Sequence, residues 1–476
     1  MNRIRSLDVV GAAILLWLAY AVVLPGACLA WTIETVEGNV VGAYSNLKIG
    51  PGDVIHIAHF AGASGTCRYS YHSGSSWTNE PLDSQYLSGH YPSLALGHSG
   101  DPHAAYRFYS GRSIRYASRS ITGWTYTEFE TDPDMEADIS LALDSAERPH
   151  VAFWDGEFAG EANDLKYASF DGVQWTSEVV DSEGDVGRGC SLAIDSQDHP
   201  HISYYDVTNL SLKHATFDGS QWIVETVDDD LVAIVFNFRT AIAVDSHDRV
   251  HIAYSAYHYE APDWMGQMKY ARNDGSGWSI QVVEQALRTR DYRIPAIVTD
   301  SEDMPRITYL HYYNVETNPS ELRYAFPMGA TWVAETIDTG IPDSQYSNSI
   351  DVDSHGQPHV SYASDAYTLK HAVGEMPVSV EDPLLAVAAG WSLALPFPNP
   401  SNLKTGPASI AFSLDRETAL DLGLFDVAGR RLATLARGSR AAGLHSVPID
   451  LWLAPGTYLC RMTVGTRQQT RKLVVR

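Results

Sequence analysis

The sequence predicts an all-β chain: a seven-bladed β-propeller whose last blade is closed by the N-terminal strand, followed by a small β-sandwich. Three observations carry that expectation. A tryptophan-anchored repeat runs through residues 31–374, each repeat divides into four strand-like pieces, and the composition changes near residue 397.

The repeat is set by Trp31, Trp77, Trp124, Trp175, Trp222, Trp278 and Trp332, spaced by 46, 47, 51, 47, 56 and 54 residues. Each opens a segment such as WTIETV, WTSEVV or WVAETI, with Glu three places later at Glu34, Glu80, Glu178, Glu225 and Glu335. Between tryptophans lie three more pieces. One resembles SLAIDS (191–196), the next PHISYY (200–205), and the third carries a basic residue before Tyr or His, as in Lys166-Tyr167 and Lys213-His214. All are β-branched or aromatic, alternate in polarity, and are bounded by Gly, Pro, Asp and Ser, as strands are. Four strands per repeat of about 45 residues is propeller periodicity. We name the strands A (LAIDS), B (PHISYY), C (LKHA) and D (WTSEVV).

The repeats start on a D strand at Trp31 and end on a C strand at Lys370. The seventh blade therefore lacks its own outer strand, and Trp31–Val36 is predicted to supply it beside Leu369–Val373. Closure of that kind removes an exposed sheet edge.

Ahead of the ring, Arg3 and Arg5, the apolar run Val9–Leu24 and the small residues before Trp31 read as a secretory signal peptide over residues 1–30. The apolar run is short of the ~20 residues a membrane span needs, so no transmembrane segment is expected after its removal. Cys28 invites a lipid-attachment reading, but Pro25 stands where such boxes carry Leu. Removal of the signal leaves Cys67, Cys190 and Cys460, an odd set spread over two modules and no disulfide framework.

The chain has 33 Lys+Arg against 58 Asp+Glu, a formal charge of −25, which excludes a nucleic-acid partner on counterion grounds. Residues 397–476 invert the balance with 11 basic and 5 acidic residues, the mark of a separate module. Residues 375–396 read as a linker or a strand docking onto that module. Beyond them, PASIAFSL, ALDLGLFDV, TYLCRMTV and TRKLVVR alternate as half-buried strands of a sandwich.

Two resemblances follow. The turn SFDGVQW (169–175) resembles the Asp-box S-x-D-x-G-x-x-W of sialidase-type (BNR) repeats, with Ser169, Asp171, Gly172 and Trp175 in the corresponding places. It departs by one residue between Asp and Gly, and the blades ending at Trp124 and Trp332 depart further. It implies a packed C–D turn and no sialidase reaction. FPNPSN (397–402), FDVAGRRLATLARG (425–438), GLHSVPID (443–450), LAPGTYLCRMTVG (453–465) and RKLVVR (471–476) resemble the type A sorting domain of the type IX secretion system and the Ig-like domain of flagellar hook-capping proteins. That resemblance implies an Ig-like fold, contact with a secretion machinery, and a location outside a bacterial cell or on its outer surface.

Candidate ligand-binding residues fall on the face shared by the D–A and B–C loops, whose lengths differ between blades; variation on a rigid scaffold is where specificity resides. Arg188, Arg239 and Arg293 stand just before strand A in successive blades, placed to hold an anion by charge-assisted bonds. DYRIPAI (291–297) resembles the Tyr-Arg-Ile-Pro motif that supplies one sialidase arginine. The alternative partners are local acids such as Asp185 and Asp291. The B–C loops carry Trp154-Asp155, Tyr205-Asp206, Tyr257 and Trp264, aromatic faces with carboxylate acceptors suited to sugars; the competing reading is packing at strand ends.

His56, His103, His150, His201, His251 and His359, with Arg306 in the remaining blade, open strand B. A ring separates them too widely for one metal at ~2 Å bonds, and hydrogen bonds to the adjacent Asp-Ser turn are expected. The repeated Lys/Arg of strand C and Glu of strand D are expected to pair across strands. No cofactor or metal is expected; acidic loops suit Ca²⁺, but no contiguous calcium loop is present. No nucleophile elbow, zinc helix or phosphate loop occurs.

Three functions fit: an exported, monomeric, non-catalytic protein that binds a glycan or surface polymer; a sialidase-like glycoside hydrolase or lyase acting on an acidic sugar; and a structural or adhesive surface protein without a small ligand. The close repetition of the blades favours the binding or scaffold roles, since a single catalytic site normally breaks such symmetry.

Overall fold

The computed structural model describes residues 30–375 apart from parts of loops, the longest being 132–137, 157–162, 233–238, 314–319 and 342–347, and beyond these residues 391–393 and most of 408–475. The predicted signal peptide lies outside the described residues. Every described element is a strand, and no described helix is long and apolar enough to cross a membrane.

Seven four-stranded antiparallel sheets form the ring. Blades 1 to 6 span Gly42–Asp83, Ser88–Thr131, Ile139–Asp181, Val186–Asp228, Thr240–Leu287 and Arg290–Thr339. Blade 7 combines Asn348–Val352, Pro358–Ala363 and Leu369–Glu375 with Ala30–Glu37. Trp31 faces Gly374, Thr32 faces Val373 and Thr35 faces Lys370, so the first strand closes the ring as its sequence predicts.

The core lies between blades. Seven apolar clusters each join two neighbours; one packs Tyr205, Leu212 and Val227 of blade 4 against Ile242, Ile252 and Tyr254 of blade 5. The repeating tryptophan belongs to the same junctions. Trp222 meets Tyr167 of the preceding blade edge-on at 5.0 Å, Trp124 meets Tyr69 at 5.4 Å, and Trp31 meets Tyr324 at 5.3 Å across the closure. This geometry suits an indole against an aromatic ring, and it explains why an aromatic or His follows the basic residue of strand C.

Polar repeats also act across junctions, which corrects the expectation of pairing within a blade. The strand-D Glu accepts from the next blade's indole, Trp222 to Glu178 at 2.9 Å and Trp31 to Glu335 at 3.1 Å. The strand-C cation reaches the carboxylate ending strand D of the preceding blade: Arg115 to Asp83 at 2.6 Å, Lys213 to Asp181 at 2.9 Å, Lys269 to Asp228 at 2.9 Å and Lys370 to Asp338 at 3.1 Å. A strand-B tyrosine donates to the same carboxylate, as Tyr254 does to Asp228 at 2.6 Å and Tyr204 to Asp181 at 2.7 Å. Within-blade pairs persist where His stands on strand C, as His214 to Glu225 at 3.0 Å, and in blade 2, where Arg115 also pairs with Glu128 of its own strand D at 2.5 Å.

The strand-B histidines do meet the turn, His251 contacting Asp245 at 2.9 Å and His201 contacting Asp195 at 3.3 Å. Their other nitrogen meets strand C, His251 to Tyr270 at 2.6 Å and His359 to His371 at 2.9 Å. His201, His251 and His359 thus link the turn after strand A to strand C over strand B, while His56 and His103 meet strand C at Tyr69 and Tyr116.

Residues 391–475 form a second unit, a three-stranded sheet and a four-stranded sheet sharing one apolar core. Ile410, Phe412 and Ile449 from one sheet pack with Leu422, Leu424, Cys460, Met462 and Leu473 from the other. The segment 375–396, read as linker or docking strand, provides the latter: Trp391–Leu393 pairs with Phe412–Leu414.

Candidate functional site

The A strands line the central channel, whose interior polar groups hold the ring together. Ser93 accepts from Leu141 N at 2.9 Å, Ser140 from Leu192 N at 2.9 Å, Ser349 from Leu47 N at 3.0 Å and Asn46 from Leu94 N at 3.1 Å. Each ties its strand to the next blade's strand A. The channel cavity is about 190 Å³, and its lining includes Tyr44, Tyr91, Arg239 and Ile294.

The mouth is built by the residue three places before the ring leucine or isoleucine of strand A: Tyr44, Tyr91, Asp138, Gly189, Arg239 and Ile294 in blades 1 to 6. Strand A is bulged here in blades 1, 2, 4 and 6. Tyr44 (φ 56°), Tyr91 (φ 53°) and Ile294 (φ 51°) adopt the left-handed region without being glycine. Such conformations cost roughly 1–3 kcal/mol each and concentrate at functional sites. Tyr44, Tyr91 and Ile294 line the channel cavity, and Ile294 also packs in the apolar cluster between blades 6 and 7.

Arg239 reaches across the mouth. Its Nη2 donates to Asp138 Oδ1 at 2.8 Å, two blades away, and its guanidinium lies 5.0 Å from the ring centre of Tyr91, three blades away. Tyr91 packs on Tyr44 at 4.4 Å. Asp138 is fixed in turn by Gly189 N at 2.9 Å. Burial works against the Arg239 charge, but Asp138 and the two phenols raise its pKa overall. Burial, with Tyr44 next to it, raises the Tyr91 pKa, so its phenol stays protonated. Behind them, Phe60 and His90 stack at 3.9 Å and Tyr109 meets His90 at 4.7 Å. Burial and Arg107 push the His90 pKa down to about 4, keeping the imidazole neutral.

The three predicted arginines do not share one position. Arg188 and Arg293 stand four residues before the ring residue, Arg239 three. The one-residue difference sends them different ways. Arg188 pairs with Asp185 at 2.9 Å and lies 4.8 Å from the Trp154 ring, while Arg293 covers Tyr312 at 4.2 Å. Of the three, only Arg239 lines the channel cavity.

The B–C loop residues are held in the fold. Trp154, Tyr205 and Tyr257 are buried. Tyr205 donates to Ser255 O at 2.7 Å, and the buried Asp206 accepts from Asn209 N at 2.8 Å and Lys213 at 3.1 Å. Asp155 pairs with Lys166. Packing at strand ends therefore describes these residues better than an open sugar platform. The side chains of Trp264 and Asp291 lie outside the described residues. Tyr44, Tyr91 and Asp138 were not singled out in the sequence; the repeat alignment that places Arg239 would have placed them.

Two carboxylate–histidine groups, Asp245/His247/Asp303 and Asp53/Asp353/His355, lie on A–B turns. The same atoms link blades: Ser246 donates to Asp303 at 3.0 Å and Ser354 to Asp53 at 2.8 Å. Arg249 crosses the first group, 3.1 Å from Asp303.

No protein-family model matches the chain, and no curated protein shows significant sequence similarity to it. Solved structures do match in fold. A fungal alcohol oxidase of the AA5 family in complex with copper aligns over 94% of this chain and 99% of its own at 10% identity, with a TM-score of 0.50. AofleA from Arthrobotrys oligospora aligns over 66% and 91% at 12% identity and TM-score 0.44. The fucose-specific lectin from Aleuria aurantia aligns over 65% and 99% at 12% identity and TM-score 0.43. At such identities the likeness concerns the fold alone.

Proposed function

We propose that this chain is an exported, non-catalytic protein that binds a neutral glycan at the channel mouth. The observation that carries the reading is the Arg239–Asp138–Tyr91 group. It draws blade 5 together with blades 2 and 3 across the ring, around an aromatic face, a guanidinium donor and a carboxylate acceptor, while the recurring polar groups serve the junctions. Aromatic faces take sugar C–H groups, and the ion pair offers donors and acceptors to hydroxyls. Because Asp138 balances Arg239, and the chain carries −25 overall, an uncharged sugar suits the site better than an acidic one. Most glycosidases use two carboxyl groups about 5–9.5 Å apart astride the scissile bond, sialidases with a tyrosine nucleophile excepted; among the described residues that build the mouth, Asp138 is the one carboxylate, and it is bonded to Arg239.

The test compares binding on a glycan array with hydrolysis of fluorogenic neutral and acidic glycosides. Array binding that falls at least tenfold in Arg239→Ala and Tyr91→Ala, without turnover, supports the reading. Turnover abolished by Arg239→Ala establishes the hydrolase instead. Silence in both assays favours the scaffold role.

We further propose that the mature protein begins at Trp31 and that the C-terminal sandwich is an Ig-like sorting domain for export. The support is the basic and apolar N-terminal segment and the run of motifs from FPNPSN to RKLVVR. N-terminal sequencing of protein from the culture medium and cell surface tests both; retention inside cells, with or without the tail, contradicts them.

A further inference from the structure

A second cavity of about 340 Å³ opens between blades 2 and 3, on the side of the A–B and C–D turns. Its size lies at the lower end of the ~300–1,000 Å³ usual for small-molecule sites. Blade 2 contributes Tyr116, Ser118, Thr125 and Thr127; blade 3 contributes Arg148 and Phe170, with Glu147 and Pro149 at the turn.

The cavity coincides with a break in the repeat. The residue three places after the junction tryptophan is Glu34, Glu80, Glu178, Glu225, Gln281 and Glu335 in six blades, and Thr127 in blade 2. At three junctions the Glu carboxylate takes the next blade's indole N–H, Glu80 from Trp124 at 3.2 Å, Glu178 from Trp222 at 2.9 Å and Glu335 from Trp31 at 3.1 Å, while Glu34 and Glu225 pair with His371 and His214. Here the indole of Trp175 donates to the shorter Thr127 at 3.1 Å. The exchange removes a carboxylate and leaves a hydroxyl in its place. Trp175 remains seated against Phe129 at 4.0 Å, so the junction stays closed behind the cavity.

The lining is hydroxyl-rich, with Ser118, Thr125 and Thr127 beside Tyr116 on one wall, Phe170 and Pro149 on the other, and one cation and one carboxylate. Arg148 Nε donates to Asp144 at 2.6 Å and Glu147 pairs with His98 at 2.8 Å, so the lining offers no net attraction for an anion. We infer that this groove is a second binding site, for a single neutral monosaccharide unit, created by Thr127 standing where the other blades carry Glu or Gln. It rests on its own cavity and not on the channel mouth.

The experiment titrates residues 31–476 with methyl glycosides of the common neutral hexoses and deoxyhexoses, one at a time, by ligand-observed NMR and calorimetry. Thr127→Glu restores the carboxylate used at other junctions and, by taking the Trp175 N–H, is expected to keep or raise the melting temperature. Thr127→Gln is the second variant, copying Gln281. The expected result is a glycoside whose binding falls at least tenfold in both variants while Arg239→Ala leaves that component intact. A glycoside lost in Arg239→Ala and unaffected at Thr127 supports the mouth alone and overturns the groove. A panel in which no glycoside weakens in Arg239→Ala while one is lost in the Thr127 variants supports the groove and removes support from the mouth. No Thr127-dependent binding across the panel overturns the proposal.

Discussion

Asp228 ends strand D of blade 4 and is 6% exposed, yet carries a charge. Burial alone would raise its pKa, but Lys269 and Tyr254 more than offset that, so its carboxyl titrates below the usual range. Asp228→Ala leaves the Lys269 ammonium, itself 6% exposed, facing a cavity with no counter-charge, and strands the Tyr254 hydroxyl. Removing one partner of such a pair costs about 3–5 kcal/mol. At ~2–4 °C per kcal/mol for a large domain, the melting midpoint should fall by roughly 10 °C. Asp228→Ala with Lys269→Met removes the unpaired charge and leaves the stranded hydroxyl, worth about 1–3 kcal/mol. The double variant should therefore recover about half the loss. Thermal and urea unfolding of the two single variants and the double variant completes the cycle. A single-variant loss below about 1 kcal/mol, or strictly additive effects, would refute the assignment of these repeats to blade junctions.

Acid should loosen the ring before its carboxylates protonate. Burial pushes the His56 and His201 pKa values down to about 4, aided by Arg119 and His214 respectively, and His90 behaves alike. Unfolded histidine binds its proton near pH 6.5, so the unfolded state takes up more protons between pH 6.5 and 4 and stability falls across that window. A melting temperature that stays flat from pH 7 to 5 would contradict it. Asp245 is depressed to about 2, burial opposing and His251 with Arg249 prevailing; its contribution, present above pH 4, should disappear as pH falls through 2 to 4, to be read by comparing Asp245→Asn with the parent. Deleting residues 31–37 should expose the edge of Leu369–Glu375 and lower the midpoint of the whole propeller, seen as concentration-dependent aggregation on heating; an unchanged midpoint would deny that this strand closes the ring.

Much of the architecture is legible because the ring repeats its physics. Seven tryptophans mark seven junctions, and a chain starting on strand D and ending on strand C has one way to bury both edges. The direction of the polar contacts was not legible. Lys213 and Glu225 stand on paired strands of one blade, but the register sets Lys213 opposite Thr226 and Glu225 opposite His214, so the two project from opposite faces of the sheet. Lys213 therefore reaches Asp181 of the preceding blade. The arginine site was misjudged for a local reason. Arg188 stands seven residues before Asp195 and Arg239 six before Asp245, and the bulge preceding Ser191 makes that one-residue offset a change of direction. Thr127 was visible as an exception in the Trp-x-x-Glu pattern, but its consequence depends on the volume around it, which sequence does not carry.

The central claim places the ligand on the mouth of the ring. A crystal structure of residues 31–476 with the oligosaccharide that binds best on the array addresses it directly. The account predicts a sugar ring against Tyr91 with hydroxyls bonded to Arg239 and Asp138. Sugar density confined to other surfaces, or a cleaved oligosaccharide, would contradict it.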